Sequence, residues 1–255
     1  SPTGDLQQTA SKFRKGNGMD LKDLPQTAQN FINEMIQDRE RGKCLDYDIC
    51  QKILEYAADT GSQKLTGLGL YYLAECYWQN GEYENTMQCL SESIGYLKNE
   101  RMYELLAKAH NMMGAVSDRK NNRMLALSSY YNSLKYAEKY HFYYVQGMAE
   151  SNIAYTLVRM RLRQEAIQHY RIAIACYAKS EKTYQLNYNR INCMIECGCC
   201  HMYLGEMEEA LQLWNKIEQI LREAPESYYS KITLEMYRIP CKMLQGHEEE
   251  ALKLA

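Results

Sequence analysis

The stretch from Tyr71 to Leu97, YYLAECYWQNGEYENTMQCLSESIGYL, decides how the chain is read. Leu73, Ala74 and Tyr77 stand three, four and seven positions after Leu70, the spacing that gathers apolar side chains on one face of a helix. Gly81 interrupts the pattern; glycine tolerates the left-handed conformation in which helices end. A second helical pattern then runs through Thr86 and Leu90. Small residues at Ala74 and, twelve positions later, at Thr86 let two helix backbones approach closely. Leu90, four positions further on, is large enough to fill the groove of a neighbouring helix. The stretch predicts two helices packed antiparallel.

The same arrangement recurs. NMMGAVSDRKNNRMLALSSYYNSLKYA, from Asn111, and SNIAYTLVRMRLRQEAIQHYRIAIACY, from Ser151, superimpose on it without a gap at a spacing of 40 residues. IECGCCHMYLGEMEEALQLWNKIEQIL, from Ile195, comes four residues late, and a fifth copy begins near Met236. The first small position is Ala74, Gly114, Ala154 and Gly198; the second is Thr86, Ala126, Ala166, Ala210 and Ala251. The turn holds Gly81, Asn121, Gly205 and Gly246, with Arg161 as the exception. The large position is Leu90, Tyr130, Tyr170 and Trp214. No segment alternates in the period of a strand, so the expected fold is all-α: a right-handed superhelix of about six antiparallel helix pairs.

The expected units are 25–62, 63–102, 103–142, 143–186, 187–227 and 228–255, after a polar tail or expression remnant at 1–24. The first unit is a degenerate capping pair, with Glu34 and Asp46 where small residues belong. The last carries Pro240 inside its first helix, which predicts a kink, and reaches Ala255 within its second. A solenoid normally ends in a polar cap, so more protein is expected downstream. Tyrosines just before the first helices, Tyr103, Tyr143 and Tyr228, with Tyr144, Tyr184, Tyr188 and Tyr229 nearby, are expected to wedge between consecutive pairs.

Composition narrows the function. The 255 residues carry 30 basic and 32 acidic side chains, a net charge of −2, which gives no support to nucleic-acid binding driven by bulk charge. No stretch approaches the ~18 apolar residues of a membrane span, and Ser1–Gly18 lacks the apolar run of a signal peptide. Ten cysteines follow helix faces and are expected to be reduced thiols of a cytoplasmic protein. Cys197 and Cys200 have a redox or half-zinc spacing, but Cys193, Cys197 and Cys200 also fall on one helical face, and no second pair completes four ligands. No phosphate loop, nucleophile elbow or HExxH motif is present, and the five histidines are dispersed; no enzyme activity and no cofactor or metal is expected.

Stacked helix pairs present their first helices on a concave face, the usual binding surface of a solenoid. The repeat frame places Tyr71, Tyr72, Glu75 and Trp78 there, then Lys108, Asn111, Asp118 and Arg119, then Asn152, Tyr155 and Arg159, then Asn192, Glu196 and Tyr203. Asparagine can pair with both the N–H and the C=O of an extended peptide, and tyrosine adds contact area at low entropy cost. A peptide or protein partner is expected in this groove, and a homodimer through the terminal helices is conceivable.

The quoted pattern, a small residue, G-x-Y and a second small residue followed by a large one, resembles the tetratricopeptide repeat over residues 67–221. The usual period is 34, so pairs spaced by 40 to 44 should be longer by one to two helical turns. The segments 71–97, 111–144 and 151–160 further resemble the long-helix tetratricopeptide regions placed before diguanylate cyclase (GGDEF) domains in gut Firmicutes. That resemblance implies a sensory or interaction module controlling an output domain; any cyclase would lie beyond residue 255. Asn111 and Asn152 would also suit a peptide-pheromone receptor, although no helix-turn-helix is found in residues 1–60. Lys108, Asn111 and Arg119 match the chaperone-binding carboxylate clamp only in part.

Overall fold

The computed structural model describes residues 24–40, 46–180 and 184–223, and these form ten α-helices and no strand. In chain order they are α1 (Gln26–Glu40), α2 (Tyr47–Thr60), α3 (Gln63–Gln79), α4 (Tyr83–Asn99) and α5 (Tyr103–Arg119). They continue with α6 (Arg123–Lys139), α7 (Tyr143–Arg159), α8 (Arg163–Lys179), α9 (Tyr184–Tyr203) and α10 (Met207–Glu223). The tail, Tyr228, Tyr229, Pro240, Gly246 and Ala251 lie outside the described residues.

Six consecutive helices, α3 to α8, have 17 residues each. Left-handed turn residues recur every twenty positions between the helices: Gly61, Gly81, Arg101, Asn121, His141 and Arg161, with φ between 57° and 75°. Arg161 is therefore no exception in conformation. The N–H of Leu162 bonds the carbonyl of Leu157 and that of Arg161 the carbonyl of Val158, each at 2.9 Å, and the turns at Gly81 and Asn121 close their helices in the same way. This double closure satisfies carbonyls that the helix end leaves unpaired, and it holds even where the side chain disfavours positive φ. Helix starts are capped where the sequence allows: Ser62 Oγ accepts from the Leu65 N–H at 3.3 Å, and Asn122 Oδ1 from the Leu125 N–H at 3.2 Å.

The chain divides into two compact units, one up to Val145 and one from Gln146. In the first unit each helix packs on the next, from α1 to α6. Its core holds Ile32, Ile53, Leu65, Leu68, Leu90, Leu97, Met102, Leu105 and Leu106, all essentially inaccessible to solvent. Burying one such side chain contributes about 1.5–3 kcal/mol. Ala74 is buried, and Gly114 leaves room for the ring of Tyr130, which a Cβ there would strike. Tyr103 lies parallel to Tyr140, ring centroids 4.4 Å apart, bridging the start of α5 to the end of α6.

In the second unit α8 packs on α9 and α9 on α10. Gly147 of α7 accommodates the ring of Tyr177, and Gly198 of α9 the indole of Trp214, whose Nε1 would stand 2.5 Å from an added Cβ. Trp214 on Gly198, like Tyr130 on Gly114, thus seats on the small residue sixteen positions earlier, within its own pair. Gly67, Ala107 and Gly147 form a further small column that the repeat pattern did not single out. A Cβ on Gly67 would stand 2.8 Å from that of Tyr96, and Ser93 Oγ donates to the Gly67 carbonyl at 2.7 Å.

Candidate functional site

Three helices of the second unit line an open cavity of about 280 Å³. From α7 it is lined by Met148, Ser151, Asn152 and Tyr155, at intervals of three, four and seven, so one helical stripe supplies the whole wall. The facing wall repeats this spacing on α9 with Asn189, Asn192, Cys193 and Glu196. Tyr170 and Tyr177, two turns apart on α8, form the base.

The polar groups of this cavity are unequal. Asn152, Asn189, Asn192 and Glu196 are half-buried, and Tyr155 is exposed, with the guanidinium of Arg159 set 5.9 Å from its ring centroid. Ser151 Oγ donates to the Met148 carbonyl at 2.9 Å. Tyr170, by contrast, is only 2% exposed, and its hydroxyl has no hydrogen-bond partner among the described residues. Burial, assisted by the nearby Glu196 carboxylate, pushes its ionisation far above the usual tyrosine range, so it stays a neutral O–H donor. A buried polar group without a partner costs about 1–3 kcal/mol.

The residues proposed for the concave face distribute unevenly. Asn152, Tyr155, Asn192 and Glu196 come together here, with Arg159 stacked at the edge. Tyr71, Tyr72, Glu75, Asn111 and Asp118 are buried within the first unit. There the rings of Tyr71 and Tyr72 meet edge to face at 5.2 Å, and the Tyr71 hydroxyl donates to Glu75 Oε1 at 2.8 Å. Trp78 packs on Tyr83, Lys108 pairs with Glu104 at 2.6 Å, and Arg119 is exposed. Tyr203 is 76% exposed beneath the guanidinium of Arg163. Sequence reasoning missed Ser151, Asn189, Tyr170 and Tyr177 as lining residues. Tyr170 reads as a core knob, and only the packing of three helices reveals that it also lines the cavity.

Cys193, Cys197 and Cys200 lie on the buried face of α9. Burial pushes the first two thiols up to about 12 and the third to about 11, so they behave as small neutral hydrophobes. Among the described residues no group of three or more His, Cys, Asp or Glu side chains is placed to hold a metal ion, and no helix is long and apolar enough to cross a membrane.

No protein-family model matches the chain, and no curated protein matches it. Solved structures do. The apo form of RapI is similar with a TM-score of 0.71 at 11% identity, covering 89% of this chain and 81% of that one. A Podosopora anserina putative kinesin light chain with TPR-like repeats gives 0.57 at 16%, covering 72% and 89%. A thermophilic TPR protein of Thermus thermophilus gives 0.53 at 16%, covering 83% and 99%. At these identities the likeness is one of fold, and the fold is that of a tetratricopeptide-type helical-repeat protein.

Proposed function

We propose that the chain is a non-catalytic interaction module that binds an extended peptide or protein segment along α7 and α9, over the cavity between them. One observation carries this reading: a cavity lined by three asparagines is also lined by Tyr170, whose buried hydroxyl no group among the described residues satisfies. Asparagine offers a donor and an acceptor together, as a peptide unit does, so a rim of amides can hold main chain without fixing its sequence. The role we infer is regulatory, as the sensory part of a larger bacterial signalling protein with a diguanylate cyclase-like output. That part rests on the resemblance of the repeats to regions preceding such domains. A cytoplasmic setting is supported by the eight described cysteines, which are thiols rather than disulfides. A second reading, a ligand-binding regulator resembling peptide-pheromone receptors, draws on the same asparagines.

The test is capture of a randomised library of end-blocked heptapeptides on the immobilised chain, followed by calorimetry on resynthesised binders. Asn152→Ala and Asn192→Ala should each weaken binding about tenfold, the equivalent of one or two hydrogen bonds, at unchanged helicity. Affinities equal to the parent's would remove the cavity from the site.

A further inference from the structure

The base and wall of the cavity have complementary needs. Tyr170, which lines it, has a buried O–H with no acceptor among the described residues. Among the described residues, Glu196 on the facing helix is the one lining carboxylic acid, and no lysine, arginine or histidine lines the cavity. A carboxylate only accepts, and its roughly four lone-pair sites leave it able to take a ligand N–H beside its contacts within the protein. The cavity therefore asks for one group that accepts from Tyr170 and donates toward Glu196.

Side-chain chemistry answers this narrowly. Lysine and arginine carry donors but no acceptor, and would leave the Tyr170 proton unpaired. Aspartate and glutamate bring acceptors, but set a second negative charge against Glu196 in a partly desolvated space. Aliphatic side chains satisfy neither group. A carboxamide supplies its C=O to Tyr170 and its NH₂ to Glu196, and pairs in the same way with the amides of Asn152, Asn189 and Asn192. Because Tyr170 is only 2% exposed where it lines this cavity of about 280 Å³, the longer glutamine suits its hydroxyl better than asparagine. Resting on the peptide-binding reading above, we propose that this cavity is a selectivity pocket for a glutamine side chain of the bound segment.

The experiment uses pools of end-blocked heptapeptides with one fixed central residue, Gln, Glu, Leu or Arg, and the other six positions randomised. The pools are captured on the full chain and on its Asn152→Ala, Tyr170→Phe and Glu196→Gln variants. The glutamine pool should be retained about fivefold to tenfold above the others, the worth of one to two hydrogen bonds. Tyr170→Phe should erase the preference for glutamine over leucine, and Glu196→Gln the preference over glutamate. Capture that depends on Asn152 but shows no glutamine preference, or favours arginine, overturns this inference and leaves the groove reading standing. Absence of any Asn152-dependent capture overturns both. Circular dichroism monitors folding, and should a variant misfold, the parent's ranking of the four pools decides alone.

Discussion

Tyr170 shows how a single residue can serve packing and binding at the same time. Its ring occupies the large position of the fourth helix pair, matching Leu90, Tyr130 and Trp214, which are also buried, while its hydroxyl has no partner among the described residues. Exchange for phenylalanine keeps the ring and deletes only the orphaned oxygen. Tyr170→Phe should therefore raise stability, by up to about 1–3 kcal/mol if the full desolvation cost is relieved. Urea unfolding should show a later midpoint at an unchanged slope; an earlier midpoint would mean that the hydroxyl is satisfied in solution. The left-handed residues point to the same principle. Arg101, His141 and Arg161 hold φ near 60°, at a cost of about 1–2 kcal/mol each, because the turn that joins consecutive 17-residue helices requires it. At these positions residue type does not reveal conformation, whereas the twenty-residue spacing does.

At the scale of helix pairs, the fold rests on matched sizes. The first small position and the large position sixteen residues later are Ala74 with Leu90, Gly114 with Tyr130, Ala154 with Tyr170 and Gly198 with Trp214. Gly114 illustrates the match: alanine there would gain about 1 kcal/mol of helix propensity, but its Cβ would collide with the Tyr130 ring. Overpacking of this kind costs about 1–3 kcal/mol, so Gly114→Ala should be destabilising on balance. Tyr130→Leu alone leaves a void, yet the double variant recreates the Ala74–Leu90 combination that α3 and α4 already use. A double-mutant cycle followed by chemical denaturation should return a favourable coupling of about 0.5–3 kcal/mol. Additive effects would mean that Gly114 and Tyr130 do not share the same space. These columns were legible because size recurs at a fixed spacing. The further column of Gly67, Ala107 and Gly147 escaped notice because its fourth member, Ile191, is large.

For the whole molecule, the repeat frame carried the fold: the all-helical class and the packing of successive helices follow from one 27-residue pattern and its copies, although the expected boundary at 186/187 falls inside α9 (Tyr184–Tyr203). It carried less of the candidate site. The frame tells which face a residue shares, and so grouped Asn152, Tyr155, Asn192 and Glu196. It does not tell how deeply neighbouring side chains cover that face, which is why Tyr71, Tyr72, Glu75 and Asn111 are found buried rather than open. Cysteine chemistry is the third global property, and it is set by burial. Seven of the eight described cysteines are buried, and the Sγ atoms of Cys50 and Cys76 lie 3.6 Å apart. Burial raises Cys89 and Cys200 to about 11, and Cys193 and Cys197 to about 12. Unfolded thiols ionise near pH ~8.5. Between that value and about 11 to 12, the unfolded chain releases protons that the folded chain retains, so stability falls as pH rises through this interval and is unaffected by these groups below it. Denaturation midpoints at pH 7.5, 9 and 10 should decline in that order, and the slope should flatten when Cys193, Cys197 and Cys200 are replaced by alanine. A midpoint that does not move from pH 7.5 to 10 would place the thiols in contact with water and refute the buried face of α9.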